Sequence, residues 1–348
     1  VAAAAPTIAR IQAKTILTPA AGFVAGGYTH TLNPYQGCGF GADLPDAADG
    51  AEPGRGRRGC PYCYVRRMPV GLYGPGPWGS WVSAKVNAPE LVREDGRRGR
   101  LALARIFLGS ATDPYQFVAE NRYRLTRAVL DALVDYPPAH LTVQTRSPLV
   151  ERDFDLLARL GPCVRLSVTI ETDDESVRRA LTPTTPPAAR RLETLRRARA
   201  LGLETQAAIS PVLPCDPERF ADLVAGAADQ VYLDSLWIGD GACGARSAAL
   251  GMPRRLRAIG RGDWVSRDAH LPLYRALVAR MGAARVHAAE GAGFRPPAAR
   301  PAPGARPIDE GARPAPARPV SAQGDLFALD PRFAPRGGSH SSPSVHGR

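Results

Sequence analysis

The sequence predicts an α/β protein whose centre is a parallel sheet made of repeated strand–helix units. Three observations predict it. Short apolar runs of strand length alternate with segments of helical apolar spacing from about residue 103 to residue 239. Units of this kind favour a parallel sheet joined by right-handed crossovers. Polar residues recur just past successive strands, the end at which both open α/β sheets and barrels hold their ligands. About six such units fit either an open doubly wound sheet or a barrel, complete or partial.

In chain order, LARIFLGS (Leu103 to Ser110) is a short buried-strand run, followed by FVAENRYRLTRAVLDALVDY with apolar residues at helical spacing. HLTVQTRS (His140 to Ser147) is the next strand, and ERDFDLLARLG is a helix stopped by Gly161. CVRLSVTIET (Cys163 to Thr172) is a third strand, with DESVRRALT and ARRLETLRRARALG as helices, the second again ending on a glycine. LETQAAISPVL and QVYLDSLWIG are two further strands, separated by the helix DPERFADLVAGAA. The polar groups at the strand ends are Ser110, Thr112 and Asp113, then Thr145 and Arg146, then Ser167, Thr169 and Glu171, then Ser210, then Asp234 and Ser235. Any one of them reads as an ordinary loop or cap residue. Their recurrence at one end favours a shared site. No G-x-G-x-x-G follows a strand, which argues against a dinucleotide site.

Three segments organise the 348 residues: an N-terminal extension (1–26), the βα region (27–290) and a Pro/Ala/Arg-rich tail (291–348). The tail has too few large apolar residues to offset its ordering entropy and is expected to be disordered. No apolar run approaches a membrane span, and the Ala-rich N-terminus carries charges where a signal peptide keeps an apolar block. The expected location is the cytoplasm. Six cysteines are too few for a disulfide scaffold in a chain of this length. The net charge of +12, carried mostly by arginine, suits a polyanionic partner such as DNA or another nucleic acid, although part of it lies in the tail and arginine excess also follows genomic composition.

The stretch GCPYCYV, containing Cys60 and Cys63, admits three readings. Cys-Pro-Tyr-Cys at a helix start is the dithiol of glutaredoxin-like proteins, but such domains are small and place the motif directly after their first strand. A structural zinc site needs four ligands, and His30, Cys38, Cys60 and Cys63 would supply them at loose spacing, in a zinc-stabilised nucleic-acid-binding protein. Three cysteines without an obvious fourth, ahead of a series of βα units, fit a [4Fe–4S] cluster with one iron open, and a helix starting after Cys60 would favour its negative charge.

Six stretches in order, NPYQGC (Asn33 to Cys38), CPYCYVRRMPVG (Cys60 to Gly71), GSATDPYQ (Gly109 to Gln116), QTRSPLVERDFDLL (Gln144 to Leu157), SVTIET (Ser167 to Thr172) and SPVLP (Ser210 to Pro214), resemble the radical S-adenosylmethionine proteins related to spore photoproduct lyase. The resemblance implies a partial (β/α)6 barrel, a [4Fe–4S] cluster, and reductive cleavage of S-adenosylmethionine to a 5′-deoxyadenosyl radical that abstracts hydrogen from a substrate. It implies Cys38, Cys60 and Cys63 as cluster ligands and Tyr62 against the adenine. Thr112 and Asp113 would hold the methionine amino group, Arg146 its carboxylate, and Ser167 the ribose or carboxylate. A flavodoxin or ferredoxin would supply the electron. Two departures stand out. The family spaces its cysteines C-x3-C-x2-C, whereas 21 residues separate Cys38 from Cys60 here; and Ser110 lies where the lyase has its hydrogen-donating cysteine, for which Cys163, Cys215 or Cys243 would have to substitute. Substrates therefore extend from a DNA base lesion to a peptide or small molecule.

Other features remain. Trp78 and Trp81 beside Lys85 either clamp a base or close the barrel, the second being the simpler expectation. Arg66 and Arg67 meet a phosphate or line the first helix. Gln323-Gly324-Asp325-Leu326-Phe327 in the tail resembles the peptides with which bacterial repair proteins grip the sliding clamp, and a flexible tether would raise its local concentration.

Overall fold

The computed structural model describes residues 6–41, 43–44, 57–58, 60–240 and 242–288. The tail with Gln323, Asp325, Leu326 and Phe327, and most of the segment between Cys38 and Cys60, lie outside the described residues.

The strands are β1 (Thr7–Ile11), β2 (Leu17–Pro19), β3 (His30–Leu32), β4 (Tyr35–Gln36), β5 (Asp43–Leu44), β6 (Arg57–Arg58), β7 (Trp81–Lys85), β8 (Arg105–Leu108), β9 (His140–Thr145), β10 (Val164–Thr169), β11 (Glu204–Val212), β12 (Gln230–Ser235) and β13 (Val286–Ala288). The main sheet runs β13-β12-β11-β10-β9-β8-β3-β2, parallel from β13 to β3, with β2 antiparallel at the edge. Spatial order follows chain order, whereas a doubly wound sheet reverses order part-way. Each crossover therefore steps the same way, its helices fall on one face, and the twisted sheet curls toward the other. The result is a partial barrel, with no pairing between β2 and β13 among the described residues.

The helices are α1 (Pro69–Leu72), α2 (Ala88–Arg97), α3 (Phe117–Tyr123), α4 (Leu125–Asp135), α5 (Phe154–Leu160), α6 (Glu175–Leu181), α7 (Ala188–Ala200), α8 (Pro217–Ala225), α9 (Ala245–Ala249), α10 (Met252–Ala258) and α11 (Leu271–Met281). Strand alternation puts Ile106, Leu108, Leu141, Val143, Leu166, Val168, Ala207 and Ile209 on the helix side. There they form the main core with Leu133, Leu157, Leu195, Phe220 and Leu277. The alternate residues Thr142, Ser167, Thr169, Gln206 and Asp234 face inward and are also buried. Helix starts follow side-chain caps: Asp174 accepts from the Ser176 and Val177 N–H groups, and Asp216 from that of Arg219. Gly161, at φ 57°, ends α5 as its pattern predicts. Among the described residues no helix is long and apolar enough to cross a membrane.

A small second sheet, β1-β7-β4, stands beside the barrel. β1 runs parallel to β7, so part of the N-terminal extension is a strand, and β4 pairs antiparallel with Ala84 and Ser83. This pairing delivers the chain to Gly37, whose φ is +76° and whose missing Cβ would lie 2.3 Å from the Trp81 carbonyl oxygen. Glycine alone fits there, one residue before Cys38.

Candidate cofactor site

The C-terminal ends of β3, β8, β9 and β10 carry one connected set of side chains. The loop holding Cys38 is clamped from the loop after β8. Thr112 donates its hydroxyl to the Gly37 carbonyl, Gln116 Nε2 reaches Thr112 Oγ1 at 3.1 Å, and Gln116 Oε1 accepts from the Gly39 N–H at 2.8 Å. Cys60 opens the second loop at φ +88°, and its carbonyl accepts the Cys63 N–H at 3.1 Å. Arg66 joins the two loops, its Nη2 donating to the Gly41 carbonyl at 2.8 Å.

Cys38, Phe40, Cys60, Val65, Trp78 and Trp81 form one buried cluster with Cys63 and Tyr64 packed on it. The two indoles, edge to face at 6.1 Å, therefore line the cysteine loops instead of closing the barrel. Lys85 ends β7, and burial lowers its pKa. The helix expected after Cys60 is a 3-10 turn, Tyr64–Arg67, followed by the single turn of α1. Pro69 and Gly71 explain the short pieces, and turns this brief carry little macrodipole.

Burial pushes the Cys38 thiol up to about 11 and the Cys60 thiol up to about 12, the latter opposed by the Arg146 charge. Among the described residues no group of three or more His, Cys, Asp or Glu side chains stands in a metal-ligating arrangement. The three thiols share one packed cluster, and as soft donors with a guanidinium beside them they suit an iron–sulfur cluster. His30, the fourth ligand of the zinc reading, opens β3 and pairs its ring nitrogen with the Thr29 hydroxyl at 2.9 Å.

Arg146 stands just past β9. Its Nη1 is 2.8 Å from Cys60 Sγ and its Nη2 is 3.3 Å from Glu171 Oε1. The Tyr62 hydroxyl donates to the same Glu171 oxygen at 2.9 Å, and Arg191 Nη1 donates to the other at 2.6 Å. Both the Glu171 and Arg191 side chains are 0% exposed. Burial alone would raise the Glu171 carboxyl, but Arg191 and Arg146 outweigh it and hold it down at about 2.

Asp113 is a brace between two strands. Oδ1 accepts from the Tyr115 N–H at 2.9 Å and the Thr145 hydroxyl at 2.6 Å, and Oδ2 accepts from the Arg146 N–H at 2.8 Å. Burial raises its pKa, with these bonds opposing. Asp113→Asn presents an amide donor to a backbone N–H in either orientation of the amide. The expected cost is about 1–3 kcal/mol of stability, read as a lower urea midpoint at unchanged slope.

The remaining expected residues are spread more widely. Ser110 Oγ accepts from Asn33 Nδ2 at 3.1 Å, while its carbonyl accepts the Tyr64 hydroxyl. Ser167 lies deeper, fully buried and accepting from Gln206 Nε2 at 3.0 Å, outside the Cys60–Arg146–Glu171 chain. Asp234 Oδ2 accepts from Ser210 at 2.8 Å, and burial pushes its carboxyl up to about 7. Cys163 bonds the Leu160 carbonyl, Cys215 belongs to the helix-side core and Cys243 is exposed, while the described partners of Ser110 are Asn33 and Tyr64. Sequence reasoning missed Asn33, Gln116, Tyr64 and Arg191. Arg191 had a signal: it occupies the buried stripe of α7 with Ala188, Leu192, Leu195 and Ala198.

Residues 54–224 match the model of the radical SAM superfamily, a span that contains Cys60, Cys63, Asp113, Arg146 and Glu171 and leaves Cys38 outside. An uncharacterized protein of Methanocaldococcus jannaschii is 28% identical over 207 residues, 60% of this chain and 68% of that protein. One from Mycobacterium bovis is 28% identical over 212 residues, 60% and 56% of the two chains, and one from Acidianus two-tailed virus is 31% identical over 165 residues, 44% and 52%. The chain thus spans about two thirds of the first of these relatives and just over half of the other two. A tyrosine-to-phenylalanine variant of spore photoproduct lyase superposes with a TM-score of 0.52 over 81% of this chain and 82% of that one, at 10% identity, a likeness of fold. Residues 54–224, just under half of the chain, are thus similar to the radical SAM superfamily, a likeness that the cysteine loops and the parallel strands accompany.

Proposed function

We propose that the protein is a radical SAM enzyme in which Cys38, Cys60 and Cys63 hold three irons of a [4Fe–4S] cluster and S-adenosylmethionine chelates the fourth. The observation that carries this reading is the gathering of two buried cysteines, Cys38 and Cys60, and the half-buried Cys63 at the ligand-binding end of a parallel partial barrel. When bound, the reduced cluster supplies the electron that cleaves S-adenosylmethionine to methionine and a 5′-deoxyadenosyl radical. The chain's part is to position and to exclude water. Thr112 and Gln116 fix the Cys38 loop, Arg66 ties it to the Cys60 loop, and Asp113 holds the end of β9. Tyr62, Thr112 and Asp113 frame the S-adenosylmethionine site, with Ser167 set deeper in the barrel. The indoles of Trp78 and Trp81 cover the cysteine loops.

The substrate we assign is a nucleic acid or nucleobase, supported by the charge of +12 and its arginine-rich make-up. Ser110 offers no thiol, so hydrogen return follows a route other than the lyase cysteine. A flavodoxin or ferredoxin is the proposed electron donor, the cytoplasm the proposed location, and Gln323, Asp325, Leu326 and Phe327 a proposed sliding-clamp contact.

Anaerobic reconstitution with iron and sulfide, reduction, and addition of S-adenosylmethionine tests the reading. The expected result is a brown protein that forms 5′-deoxyadenosine. A fully loaded cluster that forms none would overturn the radical assignment. A colourless protein carrying stoichiometric zinc would favour the zinc-stabilised alternative.

A further inference from the structure

Arg146 is fixed at both ends. Asp113 holds its backbone N–H at 2.8 Å, and Glu171 holds Nη2 at 3.3 Å. A guanidinium is a rigid planar fork, so pinning one terminal nitrogen directs the other. The other nitrogen, Nη1, points at Cys60 Sγ, 2.8 Å away. Glu171 is itself held by Arg191 at 2.6 Å and by the hydroxyl of Tyr62, a residue lying between Cys60 and Cys63. The contacts close a ring from the cysteine loop through Tyr62, Glu171 and Arg146 back to Cys60.

Both terminal nitrogens of Arg146 are thus committed to protein partners, which differs from the carboxylate contact that the family resemblance implies. The charge-assisted donor acts instead on a sulfur. A hydrogen bond and a positive charge at a ligand sulfur stabilise the oxidation state that places more negative charge there, which is the reduced one. Outer-shell partners of metal ligands tune the metal in this way.

From this geometry we infer that Arg146 is a positioning residue for the cluster's electron acceptance: through its bond to Cys60 it raises the reduction potential, with Glu171 and Arg191 fixing its direction. The inference rests on the proposed cluster at Cys38, Cys60 and Cys63. It assigns the residue to the one-electron reduction that precedes S-adenosylmethionine cleavage, so its effect is present without S-adenosylmethionine.

Redox titration of the reconstituted full-length protein without S-adenosylmethionine, followed by electron paramagnetic resonance, tests it. Arg146→Met keeps the length of the side chain and removes the charge and the donor. The expected result is a tenfold or greater loss in the reduced-to-oxidised ratio at a fixed potential, a midpoint lower by about 59 mV for one electron. Arg146→Gln keeps an N–H donor without charge, and its midpoint is expected between the two. A wild-type midpoint in Arg146→Met at full iron content would sink the inference and leave the radical assignment standing. If Arg146→Met takes up no iron, Arg146→Gln decides by the same criterion. If neither loads, Arg146 is a structural requirement and the tuning role falls. Wild type without iron and sulfide would instead remove the proposed function.

Discussion

Glu171→Ala is expected to destabilise the fold by about 3–5 kcal/mol, the cost of leaving a buried charge without its partner. Arg191 is the charge left behind. Its side chain is 0% exposed, Nη1 bonds Glu171 and the Thr169 carbonyl, and Nε and Nη2 have no hydrogen-bond partner among the described residues. No second carboxylate stands close enough to Arg191, among the described ion pairs, to replace Glu171. Urea unfolding of the protein before cluster loading measures the loss. The double variant Glu171→Ala with Arg191→Met is expected to recover part of it, because removing both charges is cheaper than removing one. If the double variant were less stable than Glu171→Ala by the full cost of Arg191→Met alone, the two residues would not be coupled and the argument would fail.

The same pair fixes a pH dependence. The Glu171 carboxyl is held down at about 2 from an ordinary value of 4.5. A depressed carboxylate contributes stability that is fully present above its unfolded pKa and is lost as pH falls through the folded one. The window therefore runs from about pH 5 down to about pH 2, and about 3 kcal/mol is at stake within it. Glu171→Gln is expected to flatten that part of the stability profile, while remaining less stable than wild type at neutral pH.

The parts of the fold legible in the sequence are those whose signal is local. Strands β8 to β12 are apolar runs bounded by turn residues, and α5 and α7 end on glycines, so strand–helix alternation survives without knowledge of the tertiary structure. The small sheet was not legible. Its strands come from residues 7–11, 35–36 and 81–85, and their pairing depends on contacts that no window of the sequence contains. Likewise α9, α10, α11 and β13 follow a stretch without a strong period, and the three residues of β13 are too few to show one. At the site, Cys60 and Cys63 stood out by their C-x-x-C spacing, and Asp113, Arg146 and Glu171 because polar residues recur past strand ends. Their mutual assignments did not. That Asp113 serves Thr145 and Arg146 follows from the side-by-side register of β8 and β9, and that Arg146 serves Cys60 follows from a loop 86 residues away in sequence folding over the end of β9; both contacts bring distant residues together.

Alanine at Cys38, Cys60 or Cys63 is expected to abolish the cluster, whereas alanine at Cys163, Cys215 or Cys243 is expected to keep the wild-type iron content. Iron and sulfide analysis after anaerobic reconstitution reads both. Cys38 is the demanding case, because 21 residues separate it from Cys60 and it falls outside the span that matches the superfamily. Two physical arguments keep it in the ligand set. Closing a loop of that length in place of a three-residue one costs only about 2 kcal/mol, since closure entropy grows with the logarithm of length. That closure is also made by bonds other than those to iron: Thr112 and Gln116 hold the backbone on either side of Cys38, and Arg66 ties Gly41 to the Cys60 loop. Burial, which pushes the Cys38 thiol up to about 11, leaves it protonated near neutral pH until a cation offsets that penalty. Cluster assembly should therefore release protons, and in Cys38→Ala fewer than in wild type. A Cys38→Ala protein that still holds about four irons and forms 5′-deoxyadenosine at the wild-type rate would remove Cys38 from the ligand set.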